Sequence, residues 1–275
     1  MGVEEGVEIH HDGDLPARTG LGSSSSFTVG LLHSLFALKR TMPSKMELAL
    51  RAIHVERNLL NEHVGSQDQM SASFGGLNHI RFTKEDNINV TPVILDRQRL
   101  EFFQDHLMLF FTGFSRLASE IAEVQVKNTG AKKPELFAMY QMVDEAISIL
   151  SGSGDLIKFG WLLNENWKLK RSLTEKISTP EIDEIYEVAM GAGAIGGKLL
   201  GAGGGGFMLL FAKPEDQIKI KEKLKSLLHV PFRFETNGSQ IIFYDSNASD
   251  RDFHSIKLNG KQELPDKELA WARPR

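Results

Sequence analysis

Cysteine is absent from all 275 residues, which excludes a disulfide framework and any thiolate nucleophile or thiolate metal site. Long apolar runs are also missing: none approaches the ~20 residues that a membrane-spanning helix needs. Nor is there an excess of one charge, because 32 Lys and Arg against 36 Asp and Glu leave a net charge of −4. That balance provides no basic field to hold nucleic acid. The first residues, Met1-Gly2-Val3-Glu4-Glu5, are acidic and contain no apolar signal core. Gly-x4-Gly-Lys-Ser/Thr, the phosphate loop of the P-loop nucleotidases, occurs nowhere, and no internal repeat is visible. What remains is the pattern of a soluble cytoplasmic protein working on small molecules, without a nucleic-acid or membrane partner. A hydrophobic content of 41% over this length is enough for one large or two modest cores.

Strand and helix patterns are interleaved. Val7-Glu8-Ile9-His10 alternates and predicts a short strand. A Pro/Gly/Ser-rich loop, 16–26, leads into the strongly apolar run Phe27–Leu38, which predicts a buried helix. Ser44 and Glu47 have capping-box spacing and predict a second helix whose inner face carries Ala49, Ile53, Glu56 and Leu60. Gly65–Gly76 is loop or helix-start material, with strands expected at His79–Phe82, Asn89–Ile94 and His106–Thr112. Helices are expected at Pro134–Leu150, Asp155–Leu173 and Pro180–Ala192. Lys198–Leu200 and Phe207–Ala212 predict strands around a glycine cluster, followed by a helix over Pro214–Leu228. A hairpin at Asn237-Gly238 is expected to join Phe232–Glu235 to Gln240–Tyr244. The mixed order predicts an α+β chain with a boundary near Arg97–Asp105. The expected parts are 1–104, 105–246 and a polar tail, 247–275.

The loop Gly20-Leu21-Gly22-Ser23-Ser24-Ser25-Ser26 lies between apolar segments. Its glycines let backbone N–H groups turn toward an anion, and the following helix start adds partial positive charge. Its hydroxyls can donate to phosphate or coordinate Mg2+. The alternative is a flexible Gly/Ser linker with a capping serine.

Two carboxylates stand out. Glu56 falls in the apolar stripe of its helix, where an unpaired charge is costly. It binds a cation, shifts its pKa, or is partly exposed beside Arg51 or Arg57. Asp68 comes after a glycine turn, and spacing alone favours a helix N-cap there. Downstream, Gly196–Phe207 contains a formal Gly-x-Gly-x-x-Gly match, but the strand-like Phe207–Phe211 comes next, where a dinucleotide fold needs a helix. Such a density of glycine carries a large unfolded-state entropy and favours close backbone approach. A plain tight hairpin is the other reading.

Pro16-Ala17-Arg18-Thr19-Gly20-Leu21-Gly22-Ser23-Ser24 resembles the second signature motif of the GHMP kinases, Pro-x3-Gly-Leu-Gly-Ser-Ser. The stretch Ala52–Gly76 is similar to that of sugar-phosphorylating members, and Gly201–Gly206 resembles the third motif. This resemblance, running from about Val7 to Tyr244, implies a two-domain fold. Its N-terminal part is like domain 2 of ribosomal protein S5, and its C-terminal domain is ferredoxin-like. It implies ATP and Mg2+ as cofactors and a sugar phosphate as the small-molecule partner. By position, Gly20, Leu21, Gly22, Ser23, Ser24 and Ser25 would hold ATP phosphates, and Ser24 and Glu56 the metal. Asp68 would face the substrate hydroxyl, with Glu62 a rival to Glu56. Gly201, Gly203 and Gly204 would support the site. Arg116, Lys168, Lys170 and Arg171 are candidates for the substrate phosphate, or else solvated surface cations. Family members begin with further strands, so the resemblance also implies an incomplete N-terminal part, and self-association or a complementary N-terminal fragment as partner.

Overall fold

The structure, a computed structural model, describes residues 6–15, 20–62, 64–83, 87–113 and 118–245, with only the backbone of 118–120. Pro16–Thr19, Arg116 and the tail 247–275 lie outside the described residues. Residues 1–240 form one compact unit, and 241–275 are a separate one.

Helix α1, Ser23–Leu38, starts inside the predicted loop, so the serines form its first turn. Its buried stripe is Ser25, Thr28, Val29 and Leu32. The opposite side is not covered, since Phe27 and Leu38 are exposed although the run is apolar all round. Helix α2, Lys45–His54, is capped as its sequence predicts, with Ser44 Oγ accepting from Glu47 N–H at 3.1 Å. It passes into a π turn, Val55–Leu59, closed by Leu60 N–H donating to Val55 C=O at 2.9 Å. The extra residue in that turn rotates the chain beyond it by roughly 100°. Leu60, expected on the inner face, is therefore exposed, while Glu56 within the turn is fully buried. Helix α3, Gln67–Phe74, packs against α1 and α2 around Val29, Leu32, Leu48 and Ala52.

Strands β1 (Asn78–Phe82) and β2 (Ile88–Pro92) pair antiparallel. Arg97–Asp105, expected as a boundary, is helix α4, capped by the Asp96 side chain. Strand β3 (Leu107–Phe111) enters a second sheet. Next come helices α5 (Ala118–Asn128, unforeseen), α6 (Lys133–Ser151), α7 (Ile157–Ser172) and α8 (Pro180–Gly191). Strand β4 (Ala194–Leu199) starts four residues before its predicted position, and β5 is Phe207–Ala212 as predicted. Helix α9 (Pro214–Lys223) ends early, freeing β6 (Leu228–His229) to pair with β3. The sheet order is β4-β5-β3-β6, antiparallel at every pairing. Met108, Phe110, Met208 and Leu210 join Trp167 and Ile182 in the larger core. Phe211 joins Phe103, Leu150 and Leu163 in a second cluster. The α+β prediction thus holds, and no described helix is long and apolar enough to cross a membrane.

Two predicted pieces do not form. Val7–His10 is exposed chain without strand pairing, and neither Phe232–Glu235 nor Gln240–Tyr244 is a strand. Apolar alternation alone does not make a strand; it needs a neighbour to complete its ladder. Residues 235–239 instead fasten α3: Gly76 N–H donates to Glu235 C=O and Ser239 N–H to Ala72 C=O, both at 2.9 Å. Lys45 Nζ bridges Phe74 and Asn237 carbonyls at 2.8 Å each.

Glycines decide how α7 meets β4. A Cβ on Gly196 would lie 1.9 Å from Gly160 C=O, and one on Gly160 would lie 2.6 Å from the Phe211 ring. Only bare backbone permits that approach, and it aligns α7 with β4 up to the glycine loop.

Arg99 closes the other end of the fold, its guanidinium donating to the carbonyls of Ile149, Leu150 and Gly154. These include the last carbonyls of α6, where a cation also meets the negative end of the helix dipole. Arg99→Ala is expected to cost about 1–3 kcal/mol, because charged donors are lost from partly buried acceptors. Urea unfolding of the variant against the parent measures it.

Candidate active site

Helix α1 begins without a cap. Gly22 occupies the N-cap position with left-handed backbone (φ 69°), no side chain caps the helix, and its first turn contains no acid. Ser26 N–H closes the first helical bond onto Gly22 C=O at 2.9 Å. The N–H groups of Ser23, Ser24 and Ser25 precede it and have no helical acceptor. Free N–H groups at the positive end of a helix form an anion site. The linker alternative fails for Ser23–Ser26, which form the first turn of the helix.

Beneath that turn lies Glu56, which has no exposed surface. Ser24 Oγ donates to its Oε1 at 2.9 Å, Ser25 Oγ to its Oε2 at 2.8 Å and Thr28 Oγ1 to Oε1 at 3.3 Å. Gln69 Nε2 of α3 donates to Oε2 as well. No cation pairs with Glu56 among the described residues, so hydrogen bonds alone offset its desolvation. Arg57 instead points to Ser66, and Arg51 pairs with Glu47. Glu62 is exposed, whereas Glu56 touches Ser24, so the structure joins the two residues expected at a metal. One hydroxyl and one carboxylate are hard oxygen donors of the kind Mg2+ accepts beside phosphate oxygens. Gln69 Oε1 is buried there without a hydrogen-bond partner among the described residues, leaving an acceptor for a further donor or cation. The donor set therefore fits Mg2+.

Asp68 stands in the first turn of α3 but is not its cap, which is Ser66. The carboxyl lies against the Gly20–Ser26 loop: a Cβ on Gly22 would come within 3.0 Å of Asp68 Cβ and Cγ. Crowding by surrounding atoms raises the carboxyl pKa above the usual aspartate value, and the charge of Glu56 raises it further. Asp68 nevertheless keeps solvent-exposed surface. Gly22→Ala is expected to lose about 1–2 kcal/mol from the left-handed backbone. The new methyl would also displace Asp68. A melting curve and an ATP titration of the same sample check both effects.

The glycine loop, Gly201–Gly206, reaches the Gly20–Ser26 loop directly. A Cβ on Gly201 (φ 67°) would sit 2.9 Å from Gly20 Cα and from Gly20 C=O. Gly203 and Gly204 lie further back, against Ile177, whose carbonyl accepts from Gly204 N–H at 2.8 Å. These two shape the loop, and Gly201 makes the contact with Gly20.

Of the four candidate cations Arg116 lies outside the described residues, and the other three have partners within the protein. Lys168 pairs with Glu165 at 2.7 Å on the surface, and Arg171 pairs with Asp183 at 2.7 Å. Lys170 is buried and donates to the carbonyls of Leu199 (3.0 Å) and Gly201 (2.7 Å). Lys168 and Arg171 are thus held by carboxylates, and Lys170 is committed to backbone. Sequence reasoning missed Gln69 and Thr28. The only signal for Thr28 was its place one turn past Ser24 and Ser25, on the α1 face that meets Glu56.

The GHMP kinases N terminal domain family matches residues 1–76, and the GHMP kinases C terminal family matches 149–230. Among curated relatives, the D-glycero-alpha-D-manno-heptose 7-phosphate kinase of Campylobacter jejuni is 31% identical over 79% of this chain. The chain spans 64% of that relative's length. The mevalonate kinase of Pyrococcus abyssi is 30% identical, covering 80% of this chain and 63% of the relative. A crystal structure of a D-glycero-D-manno-heptose 1-phosphate kinase from Bacteroides thetaiotaomicron superposes with a TM-score of 0.60 at 26% identity. It covers 84% of this chain and 66% of the other.

Proposed function

This chain belongs to the GHMP kinase family, and from that premise we propose that it is an ATP-dependent sugar kinase. The acceptor is the anomeric hydroxyl of a sugar phosphate, D-glycero-D-manno-heptose 7-phosphate, and the product is the 1,7-bisphosphate. One observation carries the reading: at the uncapped start of α1, Asp68 lies against Gly22 and the Ser24 hydroxyl bonds the buried Glu56. An anion site, a metal-competent oxygen pair and a candidate base thus surround one helix terminus.

The N–H groups of Gly20 to Ser25 then bind the β- and γ-phosphates. Ser24 Oγ and the Glu56 carboxylate hold Mg2+, which when bound neutralises charge on the phosphate oxygens. Asp68 orients the sugar hydroxyl and accepts its proton as the oxygen attacks the γ-phosphorus, and ADP leaves. Gly201, Gly203 and Gly204 keep the second loop close to the first. Residues 1–104 would supply the nucleotide site and 105–246 the second domain.

The similarity to mevalonate kinase supports a second reading, in which a mevalonate-type alcohol replaces the sugar. Supplying Mg-ATP with heptose 7-phosphate, unphosphorylated sugars or mevalonate, and monitoring ADP release, separates them. Turnover with the heptose phosphate at least tenfold above the others is the expected result. Binding of Mg-ATP without turnover on any acceptor would leave a nucleotide-binding module, and neither binding nor turnover would overturn the proposal.

A further inference from the structure

Lys170 occupies a position where a lysine is costly. It lies on α7 with only 9% of its surface exposed, and no carboxylate pairs with it among the described residues. Burial, with the charge of Lys198 beside it, pulls its pKa down to about 7. Lys198, on β4, is itself held by Asn166 Oδ1 at 2.9 Å. A methionine would fill the space of Lys170 without the desolvation cost. What methionine could not supply is a donor to the carbonyls of Leu199 and Gly201.

Those acceptors lie where β4 gives way to the glycine loop. Gly160 and Gly196 let α7 lie directly on β4, and Lys170 is ten residues further along the helix, about three turns. This fixes the ammonium under the end of the strand. Gly201 in turn meets Gly20 with no space for a side chain between them. A chain of direct contacts therefore runs from Lys170 through Gly201 to the start of the phosphate loop.

We propose that Lys170 is a positioning residue for nucleotide binding, which tethers the glycine loop through the Leu199 and Gly201 carbonyls and thereby holds Gly20 and the phosphate loop in place. The inference rests on reading the α1 terminus as the nucleotide site. Its structural part is open to test without nucleotide.

The experiment compares the full chain with Lys170→Met by amide hydrogen exchange, without nucleotide, and by calorimetric titration with Mg-ATP. Exchange in 199–206 and 20–26 of the variant is expected to quicken at least tenfold, with β5 and α8 unchanged. The dissociation constant for Mg-ATP is expected to rise at least tenfold. Unchanged loop exchange and affinity would overturn the proposal. So would faster exchange throughout β4, β5 and α8, because Lys170 would then serve the whole domain rather than the loop. If the parent chain does not bind Mg-ATP, the kinase reading fails, and loop exchange alone still decides whether the tether exists.

Discussion

Replacing Asp68 by asparagine is expected to lower kcat/KM by about 10^2–10^4, the usual contribution of a positioned acid or base, without lowering the stability of the fold. The second half distinguishes this role from helix capping. Asp68 has a pKa raised by crowding and by Glu56. Between the unfolded and folded pKa values the native protein binds more protons than the unfolded chain. Stability attributable to this group is therefore present below the unfolded value and is lost as pH rises through the folded one. Once ionised, the carboxylate is a liability to the fold, and asparagine removes it. A melting temperature equal to or above the parent's at pH 7, together with the activity loss, is the expected pair. The acid limb of kcat/KM should also lie above the ordinary aspartate value of about 3.9. A clear drop in melting temperature with activity retained would return Asp68 to a structural role.

Glu56→Ala is expected to be the most disruptive substitution at the site. It strands the buried donors of Ser25, Thr28 and Gln69, which now converge on one carboxylate. Leaving a buried neutral donor of this kind without its acceptor costs about 1–3 kcal/mol. Hydroxyls on a helix can turn to the preceding carbonyls, whereas the Gln69 amide has no such alternative, so a loss of about 3 kcal/mol is expected. Glu56→Gln keeps the shape, replaces one acceptor with a donor and removes the charge. It should fold with a smaller loss, about 1–2 kcal/mol, yet need far more Mg2+ for half-maximal activity. Denaturant unfolding of both variants and a Mg2+ titration of Glu56→Gln separate the structural role from the metal role. An unchanged Mg2+ requirement would confine Glu56 to the structural one.

Much of this site was legible because its chemistry is local in sequence. The Gly20–Ser26 loop, the Ser44–Glu47 cap and the strand at Phe207–Ala212 each need only near neighbours to declare themselves. Glu56 was legible for a different reason, since a carboxylate in an apolar stripe demands an explanation. The π turn was not, because one extra residue leaves the composition unchanged while shifting the phase. Leu60 was consequently placed inside, and Gln69 was overlooked as a partner of Glu56. Lys170 shows the same limit. Its charge suggested a phosphate ligand, and only the backbone contact of α7 with β4 reveals that its partners are carbonyls. Of the failed strands, Val7–His10 alternates and Gln240–Tyr244 is an apolar run after a turn signal, but pairing is decided by a partner that neither pattern specifies.

If the first turn of α1 is the nucleotide cradle, bound Mg-ATP must protect its amides. Amide hydrogen exchange of the full chain with and without Mg-ATP tests this most directly. Slower exchange at 20–26, accompanied by 201–206 across the Gly20–Gly201 contact, is the predicted result. Protection confined to another part of the chain, or none at saturating Mg-ATP, would contradict it.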